Sequence, residues 1–175
     1  MEIYVPDVYK KSVLEVNYKK LNDSGVKCFL FDLDNTIAPF NKKDVNERIV
    51  DLFNMLNKKN MKLIIFSNSP KSRVEMFAKK LNIDYISSAR KPFTKKLEDL
   101  LNKNKLKENE VAIIGDQLLT DIKVGNKVGI LTVLVDPISS YDPIWTKISR
   151  RREKNIKRKL RDKGLFKGHY YDEKV

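Results

Sequence analysis

Two pairs of aspartates stand where apolar runs of this sequence end. Asp32 and Asp34 follow the apolar run 28–31, and Asp116 and Asp121 follow the run 111–115. An acidic side chain is costly at the end of a buried strand, so both pairs indicate a crevice in which a ligand is bound. A strand-terminating Asx turn explains Asp32 and Asp34 without a ligand, and that alternative stays open on these residues alone.

Small polar and basic residues follow two further apolar segments. Ser67 and Asn68 precede a predicted helix, where hydroxyl and backbone N–H groups suit a phosphate. Lys91 would bring a cation to the same edge. A helix N-cap explains the pair 67–68 equally well, and lysine is common on surfaces, so each feature alone leaves both interpretations open.

The elements that would position these residues alternate along the chain. Short apolar runs separated by amphipathic segments predict an α/β fold, a parallel sheet covered by helices on both faces. The predicted strands are 26–32, 61–67, 84–87, 111–115 and 130–135, and the predicted helices are 45–59, 71–81, 93–103 and 119–127, with one more before the first strand and one after Pro143. Because ligands bind beyond the carboxyl ends of such strands, the four motifs would converge on one crevice.

Composition predicts one core and anionic partners. The chain has 175 residues, 41% of them hydrophobic, and a net charge of +13 from 36 Lys and Arg against 23 Asp and Glu. Residues 145–175 hold twelve basic and four acidic residues, +8 of that total. We therefore divide the chain into a domain of residues 1–144 and a basic helical extension of residues 145–175.

Several classes of protein are excluded at this point. One cysteine, Cys28, and one histidine, His169, cannot form a disulfide or a Cys/His zinc site, and His169 lies in a polar tail where it would be solvated. The apolar runs fall far short of the roughly 18 to 20 residues that span a bilayer. The N-terminal residues 1–16 lack the features of a secretory signal, so a cytosolic protein is expected. A location at the cytosolic face of a membrane is the alternative.

Taken together, the motifs resemble those of the haloacid dehalogenase superfamily of phosphatases: DxDxT at 32–36, then Ser67, then Lys91, then GDxxxxD at 115–121. The segments FDLDNT, SNS, ARKP and GDQLLTD, with Tyr4-Val5-Pro6 and the Thr, Arg and Glu residues of 146–153, are similar to the YqeG-type members of subclass IIIA. That family includes phosphatidylglycerophosphate phosphatases of mitochondria and plastids. Ser69 is a departure, because the family often has a second Asn there.

This resemblance implies a three-layer αβα sandwich with a Rossmann-like sheet of about five strands, and it implies a role for each motif residue. Asp32 would be the nucleophile that forms an aspartyl-phosphate, and Asp34 the general acid and then the base. The phosphoryl oxygens would be bound by Ser67, Asn68 and Lys91.

A divalent cation is implied as well, because three carboxylates in one crevice repel each other and the substrate. Magnesium would be held by Asp32, by Asp116 and by the backbone carbonyl of Asp34. Behind these ligands, Asp121 would orient Lys91 or a metal-bound water, and Thr36 would fix the loop after the nucleophile.

The spacing of the motifs leaves no room for the cap domain that encloses small substrates in this superfamily. An open crevice favours a large substrate, and phosphatidylglycerophosphate is the leading hypothesis. A phosphoprotein, a nucleotide and, outside the enzymes, an RNA- or ribosome-binding role for a basic protein are the alternatives. The apolar residues of the C-terminal helix, Ile144, Trp145, Ile148, Ile156 and Leu160, suit either an anionic lipid surface or packing on the domain.

Overall fold

The computed structural model describes residues 1–59, 61–141 and 144–166, and the side chains of residues 144–147 lie outside this description, as does His169. Within these residues six strands form one sheet: β1 (Val8–Lys10), β2 (Cys28–Phe31), β3 (Lys62–Phe66), β4 (Asp84–Ile86), β5 (Val111–Gly115) and β6 (Leu131–Val135). All neighbours pair in parallel in the order β1-β6-β5-β2-β3-β4. The predicted parallel sheet is confirmed, with one strand more than the five expected.

The additional strand is β1, at the edge of the sheet. Val8 and Tyr9 pair in register with Val133 and Leu134 of β6. Tyr9 is buried, and its hydroxyl donates a 2.5 Å hydrogen bond to Asp136. Three residues are too few for an alternating pattern to stand out, which is why the sequence analysis missed this strand.

In the part of the chain that the structure describes, six α-helices connect or flank the strands: α1 (Tyr18–Asp23), α2 (Glu47–Lys58), α3 (Lys71–Leu81), α4 (Lys95–Asn104), α5 (Lys123–Val128) and α6 (Ile144–Asp162). The bounds of α3 match the prediction, and α2 is capped by Asn46, whose side chain accepts a hydrogen bond from the Arg48 N–H. The single helix predicted over 119–127 is instead a π-helical turn, Leu118–Ile122, followed by α5. Gly129 ends α5 with a φ of 86°.

Helices cover both faces of the sheet. On one face Phe53 of α2 and Phe77 of α3 pack with Phe31 of β2. On the other, Leu97 of α4 and Val124 of α5 pack with the alternate residues of β2, Cys28 and Leu30. Residues of β2 and β5 are buried on both sides, as their continuous apolar runs predict, and the αβα sandwich is confirmed.

The C-terminal helix α6 packs on the domain. Leu160 and Phe166 are buried against Tyr9, Leu118 and Leu134, while Ile156 is half-buried beside them. Ile148, near the start of α6, is 56% exposed. The helix thus has a packed side and an exposed side, and the side chains of Ile144 and Trp145 lie outside the described residues.

The connections at the carboxyl edge of the sheet are short. A loop of residues 32–46 joins β2 to α2, and residues 67–70 join β3 to α3. Neither connection holds an inserted cap, so the edge at which the four motifs end is open, as expected.

Candidate active site

A crevice of about 400 Å³ lies at the carboxyl edge of the sheet. Asp32 follows β2 there, and Ser67 and Asn68 follow β3. Lys91 arrives from the loop after β4. These four residues line the crevice together with Asp34, Phe40, Ser69, Pro70, Gln117, Thr120 and Ser149.

The centre of the site is the buried ammonium group of Lys91. Its Nζ donates to Oδ1 of Asp32 at 2.7 Å, to Oδ1 of Asp121 at 2.5 Å and to the carbonyl of Phe66 at 2.8 Å. Burial opposes its charge, but the two carboxylates outweigh that effect and raise the pKa of Lys91 above its ordinary value. Burial raises the pKa of Asp32, and Lys91 opposes this rise. Lys91 therefore stays charged and offsets two buried carboxylates at once.

Asn68 holds the backbone of Lys91 rather than its side chain. The Asn68 amide donates to the Lys91 carbonyl at 3.0 Å and its oxygen accepts from the Lys91 N–H at 2.7 Å. The hydroxyl oxygen of Ser67 accepts from the Ser69 N–H at 3.2 Å. Helix α3 begins after Pro70 without a side-chain cap, so the N-cap interpretation of the pair 67–68 is wrong.

Three buried carboxylates converge beside Lys91. Oxygen atoms of Asp32, Asp116 and Asp121 all lie within 4.8 Å of one another. Burial raises the pKa of Asp116 to about 6, opposed by a neighbouring arginine. Three hard oxygen ligands fit Mg²⁺, and the cluster includes Asp121, which the resemblance assigned to a supporting role.

Gly115 permits this cluster to form. A side-chain carbon on Gly115 would overlap the carboxylate of Asp121. Thr36, also buried, donates from its hydroxyl to Oδ1 of Asp116 at 3.2 Å. Thr36 thus contacts Asp116, in addition to its place in the loop after Asp32.

Asp34 lies apart from the carboxylate cluster, on the wall of the crevice formed by α3. Its Oδ1 accepts from Nε of Arg73 at 2.8 Å, and its Oδ2 accepts from the hydroxyl of Ser69. Arg73 was not found from the sequence. Its only signal is its position in the first turn of a helix that starts at the crevice.

Helix α6 contributes two further residues that the sequence analysis did not assign. Arg150 donates from Nη1 to the carbonyl of Asp116 at 2.9 Å and from Nη2 to the Asp116 carboxylate. Glu153 is buried and accepts from the Leu119 N–H at 2.9 Å. Both lie within the segment 146–153 on which part of the resemblance rests, but the resemblance carried no role for them.

The fold and this arrangement of residues define a phosphatase of the haloacid dehalogenase superfamily. Residues 2–139 match the model of the family described as mitochondrial PGP phosphatase, and the chain belongs to that family. It is 34% identical over 163 residues to the probable phosphatase YqeG of Bacillus subtilis, covering 93% of this chain and 95% of that protein. The predicted superfamily and family are confirmed.

A more distant relative comes from Arabidopsis thaliana. Phosphatidylglycerophosphate phosphatase 1, chloroplastic/mitochondrial, is 26% identical over 180 residues, and the match covers 94% of this chain and half of that protein. The chain is thus similar to only part of the plant protein.

Solved structures agree on the fold. The cobalt-bound deoxy-D-mannose-octulosonate 8-phosphate phosphatase of Haemophilus influenzae aligns with a TM-score of 0.52 at 16% identity, over 74% of this chain and 77% of that one. The 3-deoxy-D-manno-octulosonate 8-phosphate phosphatase of Yersinia pestis aligns with a TM-score of 0.52 at 18% identity, over 65% and 66%. At these identities the likeness concerns the fold alone.

Proposed function

We propose that this phosphatase is magnesium-dependent, forms an aspartyl-phosphate on Asp32 and removes the terminal phosphate of phosphatidylglycerophosphate. The observation that carries the chemistry is the position of Asp32. Its carboxylate is held by Lys91 in the crevice that Asp34 also lines. A nucleophile and a separate acid in one open crevice are what a two-step phosphate transfer requires.

In the first step an oxygen of Asp32 bonds to phosphorus while the bond to the ester oxygen breaks. Asp34 gives its proton to the departing alkoxide. In the second step Asp34 takes a proton from water, whose oxygen attacks phosphorus and releases phosphate from Asp32. Lys91 and the hydroxyl of Ser67 would bind the phosphoryl oxygens during both steps.

The cation would be held by Asp32 and Asp116, with Asp121 or the backbone carbonyl of Asp34 as further oxygen ligands. The 4.8 Å cluster supports the first three of these ligands. A bound Mg²⁺ supplies positive charge that offsets the phosphate and its nucleophile. Lys91 and Arg150 bring two positive charges to the three buried carboxylates, so one negative charge is left for a further cation to offset.

Membership of the family and the open crevice support a lipid substrate. Four apolar residues at or next to the crevice form what we call the apolar lip. Phe40 lines the crevice and Tyr141 stacks on it with 6.4 Å between ring centroids, Ile138 donates its N–H to the carbonyl of Asn35, and Ile148 precedes Ser149 of the lining. Ile138, Tyr141 and Ile148 are 46%, 55% and 56% exposed.

Exposed basic residues lie close in sequence to two residues of the apolar lip. Arg151 and Arg152 are exposed on α6 close to Ile148, and Lys42 and Lys43 are exposed close to Phe40. An apolar patch among cations suits the headgroup region of an anionic bilayer, where each Lys or Arg contributes on the order of 1 kcal/mol. No helix among the described residues is long and apolar enough to cross a bilayer. We propose contact from the cytosolic side through this lip.

The reaction and the substrate are tested together by phosphate release from phosphatidylglycerophosphate in mixed micelles, with soluble phosphomonoesters assayed in parallel. We expect Mg²⁺-dependent turnover of the lipid, lost in Asp32→Asn and kept in Asp51→Asn, an exposed control on α2. Turnover of soluble esters alone would refute the lipid substrate and keep the chemistry. Turnover without added divalent cation in the presence of EDTA would refute the magnesium dependence.

Membrane contact is tested by flotation with vesicles of phosphatidylglycerol or of phosphatidylcholine. We expect binding to the anionic vesicles, weakened by Ile148→Ser and by Arg151→Gln with Arg152→Gln. These exposed positions are preferable to removal of α6, because Leu160 and Glu153 of that helix are buried in the domain. Equal flotation of all variants would refute a role for the apolar lip.

A further inference from the structure

Arg150 is the residue through which α6 reaches the carboxylate cluster. Its side chain is 20% exposed, and the carboxylate of Asp116 that it contacts is fully buried. Nη1 donates to the backbone carbonyl of Asp116 at 2.9 Å while Nη2 donates to its carboxylate. One planar guanidinium thus fixes both the main chain and the side chain of a single residue, which a lysine ammonium cannot do with the same geometry.

The orientation of Asp116 is then fully determined. Its Oδ2 accepts from Arg150 and its Oδ1 accepts from the hydroxyl of Thr36 at 3.2 Å. Each carboxylate oxygen has a second lone pair that can still face a cation. Carboxylates that ligate metals are commonly oriented in this way by outer hydrogen bonds.

A second contact lies one turn further along α6. Glu153 accepts from the Leu119 N–H at 2.9 Å, and its other oxygen lies 3.5 Å from Nη1 of Arg150. Helix α6 therefore holds the loop 116–119 at both ends. Because that loop runs directly into the turn that carries Asp121, the docking of α6 affects two of the three clustered carboxylates.

Each carboxylate of the site forms an ion pair with a basic side chain, and Arg150 supplies the one at Asp116. Lys91 pairs with Asp32 and Asp121, Arg73 pairs with Asp34, and Arg150 pairs with Asp116. Removing Arg150 would leave the buried carboxylate of Asp116 with Thr36 as its remaining hydrogen-bond donor among these contacts. A carboxylate that loses this partner would be free to change its position, and a displaced ligand disfavours binding of a cation.

From these contacts we propose that Arg150 is a positioning residue that makes α6 part of the metal site, so that the docking of α6 and the binding of Mg²⁺ strengthen each other. The proposal rests on the magnesium site proposed above. It assigns the first turns of α6 to the active site and not to a separate extension. By linkage, the factor by which a docked α6 raises the affinity for Mg²⁺ equals the factor by which bound Mg²⁺ favours the docking of α6.

The test measures Mg²⁺ binding to the full chain by isothermal titration calorimetry in Arg150→Lys and Arg150→Met. Loss of an outer hydrogen bond to a ligand typically weakens metal binding about 10- to 100-fold, which we expect for Arg150→Met. Arg150→Lys should bind Mg²⁺ more tightly than Arg150→Met, since lysine keeps the positive charge but cannot donate to the carbonyl and the carboxylate of Asp116 with the geometry of a guanidinium. Arg48→Lys and Arg48→Met, at an exposed arginine of α2, are the matched controls and should bind Mg²⁺ as the wild type does.

Docking of α6 is followed separately by the rate at which trypsin cleaves within residues 151–159. Mg²⁺ should slow this cleavage in the wild type and in Arg48→Met, but not in Arg150→Met. High Mg²⁺ concentration should also restore activity to Arg150→Met, which a purely structural defect would not show. Circular dichroism confirms that each variant is folded before it is titrated.

Two results would overturn the inference, and they are distinguishable. If the wild type binds Mg²⁺ and both Arg150 variants bind it equally well or more tightly, Arg150 does not position Asp116 for the cation. If the wild type binds no Mg²⁺, the magnesium site itself is refuted and the inference with it.

Discussion

The Nε atom of Arg73 lies 2.8 Å from Oδ1 of Asp34, across 39 residues of sequence. The same guanidinium donates to the carbonyls of Pro39 and Lys42 at 3.1 and 2.8 Å. It also lies over the ring of Phe77, 4.9 Å from its centroid. Arg73 therefore fastens the loop after Asp34 to the first turn of α3 and fixes the side chain that we propose as the general acid.

Replacing Arg73 should reduce turnover more than substrate binding. Arg73→Ala frees Asp34 and its loop, and a small misplacement of a catalytic group costs roughly 100-fold in rate. We expect kcat to fall by about that factor with KM little changed. The free energy of unfolding should fall by about 1.5–3 kcal/mol, the usual contribution of hydrogen bonds to charged groups. Steady-state kinetics and urea unfolding test both, with exposed Arg48→Ala as the control. An unchanged kcat would refute the positioning of Asp34 by Arg73.

Ser69 is the second group that contacts Asp34, and it is also where this chain departs from the family pattern. Its hydroxyl donates to Oδ2 of Asp34. An asparagine amide is also a donor, so Ser69→Asn should keep most of the activity. Ser69→Ala removes the donor and should lower kcat several-fold. Equal kcat values for the Ala and Asn variants would show that donation at this position does not matter.

Lys91 should be essential for stability as well as for activity. Removing one partner of a buried ion pair costs about 3–5 kcal/mol because the remaining charge is uncompensated. We expect Lys91→Met to lose that much free energy of unfolding at neutral pH in EDTA, and to lose less as acid protonates the carboxylates. Urea unfolding measures this loss, and exposed Lys95→Met on α4 is the control.

A second variant separates charge from packing at the same position. Lys91→Met combined with Asp121→Asn removes one of the two stranded carboxylates, so it should recover part of the stability lost in Lys91→Met. If the double variant is as unstable as the sum of the single variants, the loss comes from packing and not from charge.

The inner strands and the motif residues were predictable because their signals are local. A buried parallel strand such as β5 is a continuous apolar run, and polar residues that follow such runs must meet at one edge of the sheet. That argument brought Asp32, Ser67 and Lys91 to one crevice, with Asp116 buried beside Asp32. The residues between the strands set the lengths of the connections, so the missing cap was also predictable.

Arg73 and Arg150 were not predictable on the same grounds. Each is one arginine among 36 basic residues, and its partner lies 39 or 34 residues away in sequence. Nothing local distinguishes them from arginines on a solvated helix face. The charge of the C-terminal segment indicated an anionic partner, but one of its arginines faces an aspartate of the same chain.

Glu153 should make stability depend on pH. Burial raises its pKa to about 7 from 4.5, opposed by the Leu119 N–H and by Arg150, with Asp116 and Lys157 also close enough to act on it. Between these pH values the folded state holds a proton that the unfolded state has released. The contribution of protonated Glu153 to the free energy of unfolding is therefore complete below pH 4.5 and is lost as pH rises to 7. Glu153→Gln keeps an acceptor for Leu119 but cannot ionise, so its stability relative to the wild type should increase across this window, with a slope of at most about 1.4 kcal/mol per pH unit. Urea unfolding in EDTA from pH 4.5 to 8 measures the difference, and Glu98→Gln on the exposed face of α4 is the control. A difference that does not change with pH would mean that Glu153 is ionised throughout, held by Arg150 despite its burial.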